Sequence, residues 1–370
     1  MGGFVPLSAA CLRGPVGDGW HSTSLGRVTS ESPPETGPLR VDEELRRWHL
    51  QVMIDMGRLH RFLVIGRGKS GTTWLGRILN SHPSVFLRGE RKLVEKTAPY
   101  TPILRHLLND RVMGVWGQHT SFRLGLQPER MGPALWRLVD DYLLAASLVS
   151  LKVDVASLTH LGDKLALLRG RDVQDILPNL DLAYPGYRAI HIVRDGRDVA
   201  VSGFFHVYRN RVVKGGESEG VVKENVEGVL RGEAERLFTD DHLRVRAESW
   251  SAVATGIDDR LRAELGDRYL LIRYEDLLAD RHAAVERVFS FIGAEHTPAL
   301  VDEVIEGTSF EKMSGGRSAG DMDLGSGRRK GTAGDWVNYF TARDRSLFAE
   351  LAQPALERFG YEPDGSWAKG

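Results

Sequence analysis

Cysteine is all but missing from this chain: Cys11 is the only one in 370 residues. An intramolecular disulfide is therefore excluded, as is a metal centre built from several thiolates, and a reducing compartment suits such a composition. A charge excess is missing too. The 49 Lys and Arg residues meet 50 Asp and Glu, a formal net charge of −1. No global field argues for nucleic acid or an anionic membrane as partner, although local basic clusters can still hold a small anion. No run of about 18 apolar residues occurs, so no membrane span is expected. The opening MGGFVPLSAACLRG has no basic region ahead of its apolar stretch, and Pro6 stands where N-myristoylation asks for Ser or Thr. A cytoplasmic protein is the expectation. Apolar material is plentiful, at 42% of residues, ample for one large or two ordinary domains.

The densest stretch is Arg61–Asn80, RFLVIGRGKSGTTWLGRILN. Phe62-Leu63-Val64-Ile65 is short enough for a buried strand. A loop with Gly66, Gly68 and Gly71 follows, then Trp74, Leu75, Ile78 and Leu79 at helical spacing. Strand, glycine loop and helix together wrap backbone N–H groups around a phosphate and aim a helix N-terminus at it. The nucleotide-triphosphate loop G-x-x-x-x-G-K-[ST] is not met, because Lys69-Ser70 precedes Gly71.

Around this stretch the chain divides readily. Residues 1–40, rich in Gly, Ser and Pro, predict a disordered tail. Leu45, Trp48, Val52 and Met56 predict an amphipathic helix over 41–57. Ser84–Leu87 predicts a second strand, running into Arg88-Gly89-Glu90. Between 95 and 147, Leu104, Leu107 and Leu108 suggest one helix, and Leu135, Leu138, Tyr142 and Leu143 another. The connection between them holds His119, which could serve as a base. Ala189–Ser202, AIHIVRDGRDVAVS, is a second strand–turn–helix and carries Arg194 and Ser202. A guanidinium fork fits phosphate oxygens in pairs. Asp195, Arg197 and Asp198 predict an ion-pair network at the helix start. Residues 209–235 are polar and glycine-rich, which predicts a mobile segment or lid. A helix from Trp250 to Leu265, a strand Tyr269–Tyr274, and a helix opened and capped by Glu275-Asp276 follow. The pattern then predicts an amphipathic helix over 284–293 and a glycine-rich basic loop over Met313–Gly334. Alternation of strands and helices predicts an α/β fold with a central, mostly parallel sheet.

Three separated segments carry a resemblance. G-x-x-K-S-G-T-T-W at Gly66–Trp74 resembles the 5′-phosphosulfate loop of the sulfotransferases that use 3′-phosphoadenosine 5′-phosphosulfate (PAPS). R-D-G-R-D-x-x-x-S resembles that family's 3′-phosphate site, and R-K-G-x-x-G-D-W-x-N-x-F-T at Arg329–Thr341 resembles its C-terminal cofactor loop. The resemblance implies a three-layer fold like that of the P-loop NTPases, with one sulfotransferase domain over 41–365. It implies that Arg67, Gly68, Lys69, Ser70, Gly71, Thr72, Thr73, Arg194, Ser202, Arg329, Lys330 and Gly331 hold PAPS. Trp74 would stack on adenine or fill the core. Lys69 would neutralise the departing phosphate, and no metal would be needed. The implied acceptor is a hydroxyl, on a small molecule or glycoside.

The chain also departs from the pattern. The K-T-H-L-P segment of the cytosolic steroid- and phenol-sulfating members, with its histidine, is missing, and Glu95-Lys96-Thr97-Ala98-Pro99 is a partial echo. Gly89-Glu90 and Gly162-Asp163-Lys164 resemble instead the G-E and G-D-K of bacterial sulfotransferases, the G-E being shared with the tyrosyl-protein type. By that likeness Glu90 is the expected base, with His119 the alternative. Two other functions remain compatible with the residues: a P-loop kinase or NTPase, and a nucleotide-binding module without chemistry.

Overall fold

The computed structural model describes residues 51–89, 151–167, 184–210 and 220–369, and part of a helix between 141 and 149. The tail at 1–40, Glu90, His119 and most of 95–147 lie outside the described residues. Among the described residues, five strands form one sheet: β1 (His60–Arg67), β2 (Val85–Gly89), β3 (His160–Leu167), β4 (Arg188–Val193) and β5 (Tyr269–Arg273). The order is β2-β3-β1-β4-β5, and every pairing is parallel. Phe62, Leu63, Val64 and Ile65 are all buried, as expected of a strand covered on both faces. The helices in chain order are α1 (Thr72–Asn80), α2 (Gly196–Tyr208), α3 (Gly220–Arg231), α4 (Asp240–Leu265), α5 (Tyr274–Ala279), α6 (Arg281–Ile292), α7 (Pro298–Gly307), α8 (Phe310–Ser314) and α9 (Ala342–Arg358).

Among the described residues, two of the core clusters flank the sheet. One joins α1, α6 and α7 to β1, β4 and β5, through Leu75, Ile78, Val288, Phe289 and Val301 among others. The other joins α2, α3, α4 and α9, and Trp250, Phe204, Phe238 and Phe348 are its largest fully buried side chains. From β1 the chain steps out to β2, returns to β3, and then crosses to β4 on the far side of β1. Strand order therefore reverses between β1 and β4. A crevice outside the carboxyl ends of the strands is the usual ligand site at such a point. Both α1 and α2 begin there, one over each face of the sheet.

Several elements differ from expectation. Residues 220–231 are α3, not a lid, because Val222 and Val226 lie one turn apart and bury against α2. Its interior glycine, Gly228, is required by packing, since a Cβ there would meet that of Ala234 at 2.9 Å. Helix α4 begins at Asp240, ten residues before Trp250, where the Thr239 side chain accepts from the His242 N–H. Helix α6 begins at Arg281, capped by Asp280, and buries Val285, Val288, Phe289 and Ile292 as the spacing predicts. Glu275 sits in the first turn of α5, but its carboxylate reaches further, accepting from the Asp195 N–H at 3.1 Å and the Tyr361 hydroxyl at 2.9 Å. The first amphipathic helix is described over residues 51–56, with Val52 and Met56 buried.

Candidate active site

The loop between β1 and α1 is shaped by conformations that few side chains tolerate. Lys69 has φ +79° and Gly71 has φ +97°, both in the left-handed region. A Cβ on Gly71 would also meet the Tyr274 ring at 2.6 Å, and one on Gly66 would meet the Ile192 carbonyl at 2.5 Å. The turn is braced by Ser70 N–H donating to Arg67 O at 3.0 Å and by Gly68 N–H donating to Leu167 O at 2.9 Å. Gly71 caps α1, and its carbonyl accepts from the Trp74 and Leu75 N–H groups. The N–H groups that open a helix have no carbonyl one turn back to receive them. Ser70 is fully buried and its hydroxyl has no protein partner, and the Arg67 Nε is likewise buried without one. A buried hydroxyl without a partner beside a helix N-terminus fits an oxyanion of a bound phosphate or sulfate group.

Lys164 was legible only as part of a motif, with no role attached. Its place on β3, in register with Val64 and Gly89, brings Nζ to 3.3 Å from the Thr73 hydroxyl. It adds a second cation beside the loop that carries Lys69. Gly162, two residues earlier, is held to glycine by Phe62, whose ring lies at 2.5 Å from where a Cβ would stand. Glu90 follows the end of β2 and lies outside the described residues; its neighbour Gly89 is paired with Lys164.

Beyond β4 the R-D-G-R-D turn is the predicted ion-pair network. Asp195 caps α2 and grips Arg197, Nη2 to Oδ2 at 2.6 Å. Arg197 also pairs with Glu362 and lies between the Trp336 and Trp367 rings, 3.9 and 4.4 Å from their centroids. Gly196 admits no side chain, because the Trp250 indole fills the space where a Cβ would stand. Arg194 points the other way. Its Nη2 donates to the Thr332 carbonyl at 2.9 Å and to Asp198 at 3.2 Å, and its guanidinium lies 4.5 Å from the Tyr274 ring. Burial alone would lower its pKa, but Asp198, Tyr274 and Glu275 outweigh that and raise it. Asp198 in turn accepts from the Gly334 and Trp336 N–H groups at 2.8 and 3.0 Å. The two elements read separately as 3′-phosphate motifs are thus stitched together, across 138 residues of chain.

The basic loop at 313–334 is ordered by its own backbone. Arg317 donates to the carbonyls of Asp321, Arg328 and Arg329, and the Gly320 N–H donates to Lys330 O at 2.8 Å. Gly331 has φ +71°, and the Phe310 ring fills the place of its absent side chain. Arg329 lies 4.4 Å from the Phe205 ring, one turn along α2 from half-buried Ser202. Lys330 and Arg329 both pair with Asp335. Trp74 is half-buried. Its Nε1 donates to Thr308 O at 3.0 Å, and its ring meets Tyr274 edge-on at 5.5 Å. Tyr274, Thr308 and Phe310 therefore link the phosphate loop to Arg194 and Gly331. None of the three was singled out from sequence, because each is an ordinary core or loop residue until the fold assembles them.

A family model described as a sulfotransferase domain matches residues 59–360. Among known proteins, mouse sulfotransferase 2A6 is 28% identical over 180 residues, 46% of this chain and 57% of that one. Human sulfotransferase 1C2 is 32% identical over 105 residues, 25% of this chain and 36% of that one. The matched segment thus spans 57% of the first of these relatives and 36% of the second. Mouse sulfotransferase SULT7A1, solved in complex with PAP, is 18% identical, with 84% of this chain and 88% of that one covered and a TM-score of 0.45. The sulfotransferase domain of the Synechococcus PCC 7002 olefin synthase is 19% identical, with 82% and 96% covered and a TM-score of 0.45.

Proposed function

The chain belongs to the sulfotransferase domain family, and on that footing we propose that it transfers the sulfuryl group of PAPS to a hydroxyl acceptor, releasing 3′-phosphoadenosine 5′-phosphate (PAP): R–OH + PAPS → R–O–SO₃⁻ + PAP + H⁺. The observation that carries this is the junction of the three motifs at the switch point of the sheet, with Arg194 donating to the loop that holds Arg329 and Lys330. PAPS supplies an activated sulfuryl group on a phosphate leaving group. The chain's residues supply position and charge. Ser70, Thr72, Thr73 and the amides that open α1 receive the 5′-phosphosulfate, and Lys69 neutralises the charge that develops as the phosphate departs. Lys164 donates to the Thr73 hydroxyl and shares that work. Arg194, Ser202, Arg329, Lys330 and the Gly331 amide receive the 3′-phosphate. Trp74, Tyr274 and Phe310 offer aromatic surface for adenine. Glu90 takes the acceptor's proton. The acceptor is a hydroxyl on a small molecule or glycoside.

Calorimetric titration with PAP, beside ATP and magnesium, tests this. Tight PAP binding, lost in Arg194→Ala and in Lys330→Ala, is the expected result. Preference for ATP and magnesium, or binding of neither, would overturn it in favour of a kinase or a degenerate fold.

A further inference from the structure

Asp335 is buried, yet its carboxylate holds three donors. Oδ1 accepts from the Lys330 Nζ at 2.6 Å and the Asn338 Nδ2 at 2.9 Å, and Oδ2 accepts from Arg329. Two of these are the cations expected to grip the 3′-phosphate. From this arrangement we infer that Asp335 is an internal counter-anion which competes with the 3′-phosphate for Arg329 and Lys330, and so sets how tightly the nucleotide is held and how fast it leaves. The inference rests on the PAPS reading of the site.

Three features favour exchange over simple bracing. First, the backbone carrying both cations, and the Arg329 side chain, are held by contacts other than Asp335. Arg329 lies on the Phe205 ring and reaches the Tyr339 hydroxyl at 3.4 Å. Its carbonyl accepts from the Asp323 N–H at 3.0 Å, and that of Lys330 accepts from the Gly320 N–H. Second, Asp198 offers a contrast within the same site. It accepts two backbone N–H groups of the loop along with Arg194, so it cannot let go without opening the loop. Asp335 is bound only by side chains, which can turn to another anion. Third, a phosphate arriving between Arg329 and Lys330 would meet a carboxylate already among them, and like charges in a water-poor site repel strongly. Burial would raise the Asp335 pKa, but Lys330 and Arg329 hold it below the usual carboxylate range. The group is an anion at neutral pH.

The test compares two nucleotides that differ in the 3′-phosphate. In Asp335→Asn, which keeps the shape and a contact to Asn338, PAP should bind about tenfold tighter and dissociate about tenfold more slowly, the scale of one like-charge contact removed. Binding of 5′-AMP should not change. Asn338 is exposed, and Asn338→Asp provides the opposite sign. It places a second carboxylate beside Asp335 and should weaken PAP about tenfold while sparing 5′-AMP. PAP affinity that is unchanged or weaker in a folded Asp335→Asn, or unchanged in Asn338→Asp, overturns the inference while the wild type still binds PAP. Failure of the wild type to bind PAP overturns the cofactor reading itself, and the inference with it.

Discussion

At the scale of single residues, Lys69 is under two demands at once. The proposed reaction asks for its charge beside the leaving phosphate, and its backbone is held at φ +79°, which costs an L-residue about 1 to 2 kcal/mol. Lys69→Ala keeps the strain and loses the charge, so turnover should fall roughly 100-fold with little change in stability. Lys69→Gly should lose as much activity yet unfold in urea with about 1 kcal/mol more stability. A stable, fully active Lys69→Gly would remove Lys69 from the chemistry. If Glu90 is the base, Glu90→Gln should abolish the ascending, acid-side limb of the pH–rate profile; an unaltered limb would pass that role to His119 or another group. Glycines such as Gly66 and Gly71 could be read from sequence because the motif demands them. Asp335 could not, since its meaning depends on which cations turn towards it after folding.

At the scale of elements, what could be foreseen followed from pattern strength. The apolar strands β1 and β4 and the helix α6 were legible because burial leaves a period in the sequence. Helix α3 was hidden. Its lysine, glutamates and glycines look like loop composition, and only Val222 and Val226, one turn apart, betray a face that packs. The start of α4 was missed because Asp240, Asp241 and His242 satisfy a helix N-terminus without apolar spacing. Helix α9 carries a clearer signal, a capping box. The Thr341 hydroxyl receives the Asp344 N–H while the Asp344 carboxylate receives the Thr341 N–H. Thr341→Ala should therefore lower stability by about 1 kcal/mol in urea unfolding, with PAP affinity unchanged, because α9 packs chiefly on α4. A loss of PAP affinity in that variant would instead tie the end of the cofactor loop to the capping box.

For the whole molecule, two buried histidines at different places in the sheet make stability sensitive to acid. His160 on β3 donates from Nε2 to Ile292 O at 2.9 Å, and burial lowers its pKa to about 4. His191 on β4 faces the Tyr269 hydroxyl at 3.1 Å, and burial lowers it to about 3. Both are neutral in the folded chain well below the ordinary value of 6.5. Between about pH 6.5 and 4, then, the unfolded chain binds protons that the folded chain refuses, and stability falls as pH falls. Each histidine contributes up to about 1.4 kcal/mol per pH unit in that window. Urea midpoints at pH 7, 6 and 5 should fall in step, and His160→Gln, which can keep the bond to Ile292, should have a visibly shallower slope. An equal slope would mean that His160 already titrates normally.

The bond from Arg194 to Thr332 has a consequence for how the protein comes into being. A ribosome delivers the phosphate loop early and the turn at Arg194 midway, but the partner carbonyl is made 138 residues later. A nascent chain arrested before that point owns half a clamp. Its grip on nucleotide should arrive abruptly, late in synthesis, and the segment that follows β5 acts as the latch that closes over a finished sheet.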